Sequence, residues 1–91
     1  MLNLVWTDEA LEDLDAIADY IGARNSDAAK QLLDKIRTAA AQLTHFPHMY
    51  RIGLVPGTRE AVVTPNYRMI YLVGRSEIVI LAIIHSRRQY P

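Results

Sequence analysis

The chain contains no cysteine, and this absence narrows the chemistry that its 91 residues can carry. Disulfides, thiolate nucleophiles and cysteine-ligated zinc or iron–sulfur sites are excluded, which fits a reducing compartment. Glycine is also sparse, with four residues in the chain. Gly53, Gly57 and Gly74 fall in predicted turns, and none of them opens a helix, so the sequence has no phosphate-binding glycine loop.

Long apolar runs are missing too, although 51% of the residues are hydrophobic. No run approaches the roughly 18 residues that a membrane-spanning helix needs. No basic-then-apolar leader precedes Trp6. We therefore expect residues 1–91 to form a single cytoplasmic domain that does not enter a membrane, since this length suits one small core rather than two.

The net charge is zero, but the two signs are segregated along the chain. Up to Asp34 there are eight acids and two bases, whereas from Lys35 onward there are eight bases and two acids. Seven of those eight bases are arginine, the cation suited to bidentate contact with carboxylate or phosphate. The segregation indicates an anionic partner for the basic half, although an ordinary solvated surface is the alternative.

Two amphipathic helices are predicted in the acidic half. Apolar residues recur at three- and four-residue spacing in both segments. The first helix is expected to be capped by Thr7 or Asp8, and the second by Asn25 or Ser26, with Pro47 beyond its end. Joined by a tight link, they should form an antiparallel hairpin that covers one face of a sheet.

The strands predicted for this sheet lie mostly in the last third of the chain. Arg59–Thr64, Tyr67–Val73 and Ile78–Ile84 are separated by turn residues, and the third is almost wholly apolar and β-branched. A short apolar strand, Leu2–Thr7, precedes the helices and is expected at an edge. The predicted fold class is α+β, with an antiparallel sheet covered on one face by the helical hairpin.

Pairing across the two turns predicts which side chains share a face of the sheet. With uninterrupted alternation, Arg59, Arg68 and His85 should lie on one face, and Glu60 and Tyr71 on the other. The three histidines match no usual zinc-binding spacing, and no metal or cofactor is predicted.

Cations and aromatic side chains gather around the end of the third strand, and they predict a binding site there. As a nuclease site, Arg68 would hold a phosphate and His85 or Tyr90 would carry the proton. As a docking surface, the same groups would bind a protein or nucleic acid without breaking a bond. A third interpretation is purely structural, with Arg68 closing the sheet and the tail frayed. The predicted partner-binding residues are Arg59, Arg68, His85, Arg87, Arg88 and Tyr90.

Three segments together resemble the RelE/ParE superfamily of bacterial toxins. WTDEALEDLDAIADYI follows the first strand, GLVPGTREAVVTPNYRMIYLV spans the first hairpin, and VILAIIHSRRQYP ends the chain. The second and third segments resemble the ParE branch in particular. The resemblance implies the toxin of a type II toxin–antitoxin system, bound in a hetero-oligomeric complex by its cognate antitoxin.

The two branches differ in what the resemblance implies about mechanism. ParE-type toxins are associated with inhibition of DNA gyrase and RelE-type toxins with cleavage of mRNA on the ribosome. RelE-type nucleases are similar in fold but carry a dense lysine and arginine cluster on the sheet, whereas both lysines here, Lys30 and Lys35, fall in the second helix. His85 also sits as in the ParE-like ending, so the resemblance favours a non-enzymatic toxin directed at DNA gyrase. The alternative is a metal-free endoribonuclease that uses Arg68, His85 and Tyr90.

Overall fold

The computed structural model describes the whole chain from Met1 to Pro91. Two helices and five strands follow one another along it. The elements are β1 (Asn3–Trp6), α1 (Asp8–Gly22), α2 (Ser26–Leu43), β2 (Arg51–Ile52), β3 (Thr58–Thr64), β4 (Tyr67–Val73) and β5 (Glu77–His85).

The strands form one five-stranded sheet in the order β1-β5-β4-β3-β2. The predicted α+β fold, with a helical hairpin on one face of a sheet, is confirmed, and β1 lies at an edge as expected. The prediction of a wholly antiparallel sheet was wrong, because β1 runs parallel to β5, pairing from Asn3–Glu77 to Trp6–Ile80, and the sheet is mixed. The other pairs are antiparallel, and the two-residue strand β2 forms the opposite edge.

Side-chain caps define where both helices begin. The Thr7 hydroxyl accepts a hydrogen bond from the Ala10 N–H at 3.1 Å, and the Asn25 side chain accepts one from the Ala28 N–H at 3.0 Å. Each bond satisfies a backbone donor that has no partner within the helix. Neither helix combines the length and the apolar character that crossing a membrane requires.

The main core lies between the helices and one face of the sheet. α2 contributes Ile36 and Leu43, and the sheet contributes Met69, Tyr71 and Ile80, all fully buried. The Tyr71 hydroxyl donates a hydrogen bond to the Pro47 carbonyl at 3.0 Å, so the one polar atom of this side chain is satisfied. Burying a large apolar side chain stabilises the fold by about 1.5–3 kcal/mol, so this layer holds the helices on the sheet.

A β-bulge in β3 changes which side chains face the helices. The predicted pair Thr64–Tyr67 is present, but the register shifts between Val62 and Thr64. The extra residue inverts the alternation beyond it. Glu60 therefore lies on the sheet face that carries Arg68, so the prediction that it lies opposite was wrong.

The same bulge moves Arg59 to the other face. Arg59 pairs with Tyr71, whose side chain lies in the core beneath the helices. Its predicted place beside Arg68 was therefore wrong for the same physical reason, the inverted alternation.

A second bulge, in β5, moves His85. Val73 pairs with Ile78 as predicted, but the register shifts farther along, where Leu81 is the additional residue. Tyr67 then pairs with His85, so His85 and Arg68 project from opposite faces of the sheet. The prediction that these two side chains share a face was wrong because a bulge was not foreseen.

Candidate functional site

Three charged side chains form a row across the face of the sheet opposite the helices, which we call the open face. Arg51 lies on β2, Glu60 on β3 and Arg68 on β4. One oxygen of the Glu60 carboxylate accepts hydrogen bonds from Arg51 at 3.0 Å and from Arg68 at 2.5 Å. The side chains of Glu60 and Arg68 are only 5% and 10% exposed, whereas that of Arg51 is 69% exposed. The buried ion pair is therefore between Glu60 and Arg68.

The electrostatics of this row favour an ionised Glu60. Burial alone raises the pKa of its carboxyl group, but the hydrogen bonds and charges of Arg68 and Arg51 outweigh burial and hold the pKa below 4.5. Because the guanidinium groups of both Arg51 and Arg68 contact this one carboxylate, the row has a net positive charge.

Arg68 also holds the C-terminal tail, residues 86–91. One of its terminal nitrogens donates to the Glu60 carboxylate and the other to the backbone carbonyl of Arg88. Its Nε is buried and has no hydrogen-bond partner in the protein. Arg68 is therefore a structural link between the open face and the tail, and both ends of its guanidinium group are already engaged.

Backbone contacts fix the path of the tail as it leaves β5. The Ser86 N–H donates to the Asn66 carbonyl at 2.8 Å, and the Arg88 N–H donates to the His85 carbonyl at 2.9 Å. The side chains of Arg87 and Arg88 remain exposed, and that of Tyr90 is half-buried. The tail therefore presents its two cations to solvent from an anchored backbone.

His85 lies beside the first helix rather than beside Arg68. Its ring meets the Tyr67 ring edge-on, with centroids 5.6 Å apart, and its Nδ1 accepts a hydrogen bond from the Arg87 N–H at 3.2 Å. A pocket of about 170 Å³ brings His85 together with Asp13, Tyr67 and Arg88. Among the predicted site residues, His85 therefore lies near Arg88 of the tail. It does not lie near Arg68, which projects from the opposite face of the sheet.

Arg59 has a separate, local role. Its guanidinium group donates to the Tyr50 carbonyl at 2.7 Å and tethers the segment before β2. It also lies near the buried Tyr71, whose pKa is raised by burial despite the opposing charge of Arg59. Arg59 is therefore remote from the tail cations with which the sequence had grouped it.

Asp13 is a structural residue of this region that was not predicted from the sequence. Its carboxylate accepts a hydrogen bond from the backbone N–H of Ile83 at 3.0 Å. β1 stops at its pair with Ile80, so this part of β5 has no strand on that side and α1 supplies the acceptor. The available signal was weak, because Asp13 is one of several acids in α1 and stands out only by preceding the buried Leu14.

No group of three histidine, aspartate or glutamate side chains lies close enough together to hold a metal ion. The segment around β2 instead exposes several large apolar side chains. The exposed fractions are 63% for Phe46, 55% for Met49, 72% for Ile52 and 68% for Leu54.

Comparison with known proteins places this architecture in a family. The family model described as the ParE toxin of type II toxin–antitoxin system, parDE, matches residues 4–90. The chain belongs to this ParE toxin family. The identification confirms the resemblance to RelE/ParE toxins that the three sequence segments predict.

Two relatives that this chain matches over at least 90% of their length are described as toxins. The chain is 39% identical to Toxin RelE2 of Caulobacter vibrioides, over 97% of this chain and 99% of that protein. It is 36% identical to the putative toxin Y4kP of Sinorhizobium fredii, over 94% of this chain and 90% of that protein.

A solved structure described as the chromosomal ParDE TA system from P. aeruginosa superposes with a TM-score of 0.82 at 28% identity. It covers 93% of this chain and 96% of that one. The YoeB–YefM complex from Staphylococcus aureus, at a TM-score of 0.64 and 18% identity over 99% of both chains, shares the fold.

Proposed function

We propose that this ParE-family toxin acts by binding DNA gyrase without breaking a bond, and that a cognate antitoxin neutralises it in a hetero-oligomeric complex. The family and its toxin character come from the match over residues 4–90. The target and the mode of action go beyond that match and rest on the placement of the charged side chains.

The observation that carries the proposal is that Arg68 and His85 project from opposite faces of the sheet. Cleavage of RNA through its 2′-hydroxyl needs a cation on the phosphate and a proton carrier within hydrogen-bond reach of the same group. Arg68 is 8% exposed and is paired with Glu60, so it is poorly placed to receive a phosphate. This arrangement favours binding over catalysis.

The exposed tail cations supply the proposed contact with the target. Arg87 and Arg88 can form charge-assisted hydrogen bonds with carboxylates, and the half-buried Tyr90 can add apolar contact area. Arg68 orients these groups through the Arg88 carbonyl, so its proposed role is to position the binding residues. DNA gyrase is the target that the resemblance to the ParE branch implies.

The antitoxin partner is supported by the structural neighbours. The P. aeruginosa structure is described as a ParDE TA system, and the Staphylococcus aureus structure is a YoeB–YefM complex. Coexpression with the small protein encoded beside this chain should relieve growth arrest and give a complex that co-purifies. Continued growth arrest with no complex, when both proteins are present, would contradict the partnership.

A supercoiling assay separates the proposed target from the ribosome. The purified chain should inhibit DNA supercoiling by gyrase and leave protein synthesis intact in a purified translation system. A variant with Arg87→Ala and Arg88→Ala should lose inhibition, whereas the matched control Arg75→Ala, an exposed arginine in the β4–β5 turn, should retain it.

The alternative function is cleavage of mRNA on the ribosome, and one observation favours it. His85, Arg88 and Tyr67 line a common pocket, which puts a cation and a proton carrier together without Arg68. Codon-linked cuts in mRNA that disappear with His85→Ala, in the absence of any effect on supercoiling, would establish this function and overturn the gyrase proposal.

A further inference from the structure

A pocket of about 240 Å³ lies on the open face and is lined by Arg51, Ile52, Leu54, Glu60 and Arg68. Ligand pockets for drug-sized molecules usually span roughly 300–1,000 Å³. This pocket is smaller, and its size suits a single side chain rather than a whole small molecule.

The polar side of this pocket has an unmatched positive charge. Arg51 and Arg68 share one carboxylate, that of Glu60, so one guanidinium charge has no counterpart. Of the two guanidinium groups, that of Arg51 is the accessible one, since its side chain is 69% exposed against 10% for Arg68. The surplus positive charge is therefore within reach of an incoming anion at Arg51.

The other side of the pocket is apolar and open to solvent. The exposed fractions of Ile52 and Leu54 are 72% and 68%. β2 is also the edge strand, so no strand of this chain pairs with its outer side. Exposed aliphatic side chains next to an unpaired strand edge are typical of surfaces that bind an extended peptide segment.

We propose that this pocket binds the side chain of a glutamate or aspartate in an extended, aliphatic segment of a partner protein. The carboxylate contacts the exposed guanidinium group of Arg51, and its aliphatic neighbours cover Ile52 and Leu54. A nucleic acid fits less well, because the pocket contains no aromatic side chain on which a base could stack.

The inference rests on the proposed function, because that function requires this chain to bind partner proteins. It adds the chemistry of the segment that such a partner presents, at a surface separate from the exposed tail cations. Peptide binding tests it directly, without gyrase, ribosomes or growth arrest, so failure of this inference can be distinguished from failure of the proposed function.

The experiment is an NMR titration of the ¹⁵N-labelled full chain with the capped peptide acetyl-Leu-Glu-Leu-amide. The peptide should shift the side-chain Nε–H signal of Arg51 and the backbone amide signals of Ile52 and Leu54. The neutral analogue acetyl-Leu-Gln-Leu-amide should bind about tenfold more weakly, a difference of about 1.4 kcal/mol, because it lacks the negative charge that Arg51 contacts.

Substitution tests the same contact from the protein side. Arg51→Gln should weaken binding of the glutamate peptide by about tenfold without unfolding the chain, since this side chain is 69% exposed. Arg75→Gln, which removes an exposed arginine outside the pocket, should leave binding unchanged. Equal binding of the two peptides, no shift with either, or an unaltered affinity in Arg51→Gln would each overturn the proposal. Inorganic phosphate that shifts these signals as strongly as the peptide would overturn it as well, in favour of a general anion site.

Discussion

Replacing Glu60 by alanine should destabilise the fold far more than replacing its exposed neighbour Arg51. The Glu60 carboxylate is the only side-chain acceptor that the buried Arg68 guanidinium contacts, at 2.5 Å. The Glu60 carboxylate also contacts Arg51 at 3.0 Å, but the side chain of Arg51 is 69% exposed. The substitution would leave a buried cation without a counter-charge.

The expected cost follows from this difference in burial. Removing one partner of a buried ion pair costs about 3–5 kcal/mol, whereas an exposed pair contributes about 0–1 kcal/mol. For a domain of this size, each kcal/mol lowers the melting temperature by roughly 4–8 °C. Glu60→Ala should therefore lower it by at least about 12 °C, and Arg51→Ala by no more than about 8 °C.

Thermal melting followed by circular dichroism measures both variants. A double variant, Glu60→Met with Arg68→Met, should recover much of the loss, because an apolar pair of similar volume often replaces a buried ion pair at little cost. If Glu60→Ala melts no lower than Arg51→Ala, the buried pair does not stabilise the open face and the reasoning fails.

The same carboxylate predicts a dependence of stability on pH. Burial opposes ionisation of Glu60, but Arg68 and Arg51 hold its folded-state pKa below the ordinary value of 4.5. The stabilisation is therefore fully present above pH 4.5 and is lost as the pH falls through the lower folded-state pKa. Urea unfolding at a series of pH values should show a steeper loss below pH 4.5 in the unsubstituted chain than in Glu60→Gln; equal slopes would contradict the prediction.

Three further outcomes are expected. Asp13→Ala removes the acceptor of a buried backbone N–H in β5 and should cost about 1–3 kcal/mol in urea unfolding, against at most about 0.5 kcal/mol for the exposed Asp15→Ala. Burial raises the pKa of Tyr71 above 10.0, so ultraviolet titration should show one tyrosine that ionises later than the others and disappears in Tyr71→Phe; its absence from the unsubstituted chain would contradict the burial argument. Arg87→Ala with Arg88→Ala should abolish growth arrest with a melting temperature nearly unchanged, because both side chains are exposed; full toxicity would show that the target contact lies elsewhere.

The sequence predicted every large element of the fold, because each carried a local signal. The spacing of apolar residues and the candidate caps Thr7 and Asn25 predicted the two helices. The structure confirms both caps. The β hairpins were placed correctly at their turns, where Thr64 pairs with Tyr67 and Val73 with Ile78. The short strand β2 had no comparable periodicity, since it is only two residues long.

The faces of the sheet could not be predicted in the same way. A β-bulge adds one residue, and neither bulge here is marked by a glycine or a proline at the inserted position. Each inserted residue reverses the face on which the side chains beyond it lie. Glu60 therefore shares a face with Arg68, and His85 lies on the opposite face. The sequence therefore predicted cations around the end of β5, but it did not predict the involvement of Glu60 and Asp13 or the division into an open-face row, a tail and a helix-side pocket.

The parallel pairing of β1 with β5 has a consequence for how the protein is made. The Thr7 hydroxyl bonds to the Ile80 carbonyl, 73 residues farther along the chain, and the N-terminal strand has no other neighbour in the sheet. A nascent chain still lacking β5 can form the helical hairpin but has nothing with which to pair its first strand. Contacts this distant in sequence also slow folding, because the intervening chain must be ordered before they form. The sheet and the anchored tail are therefore completed only at the end of synthesis. An interrupted translation product should lack the folded toxin surface.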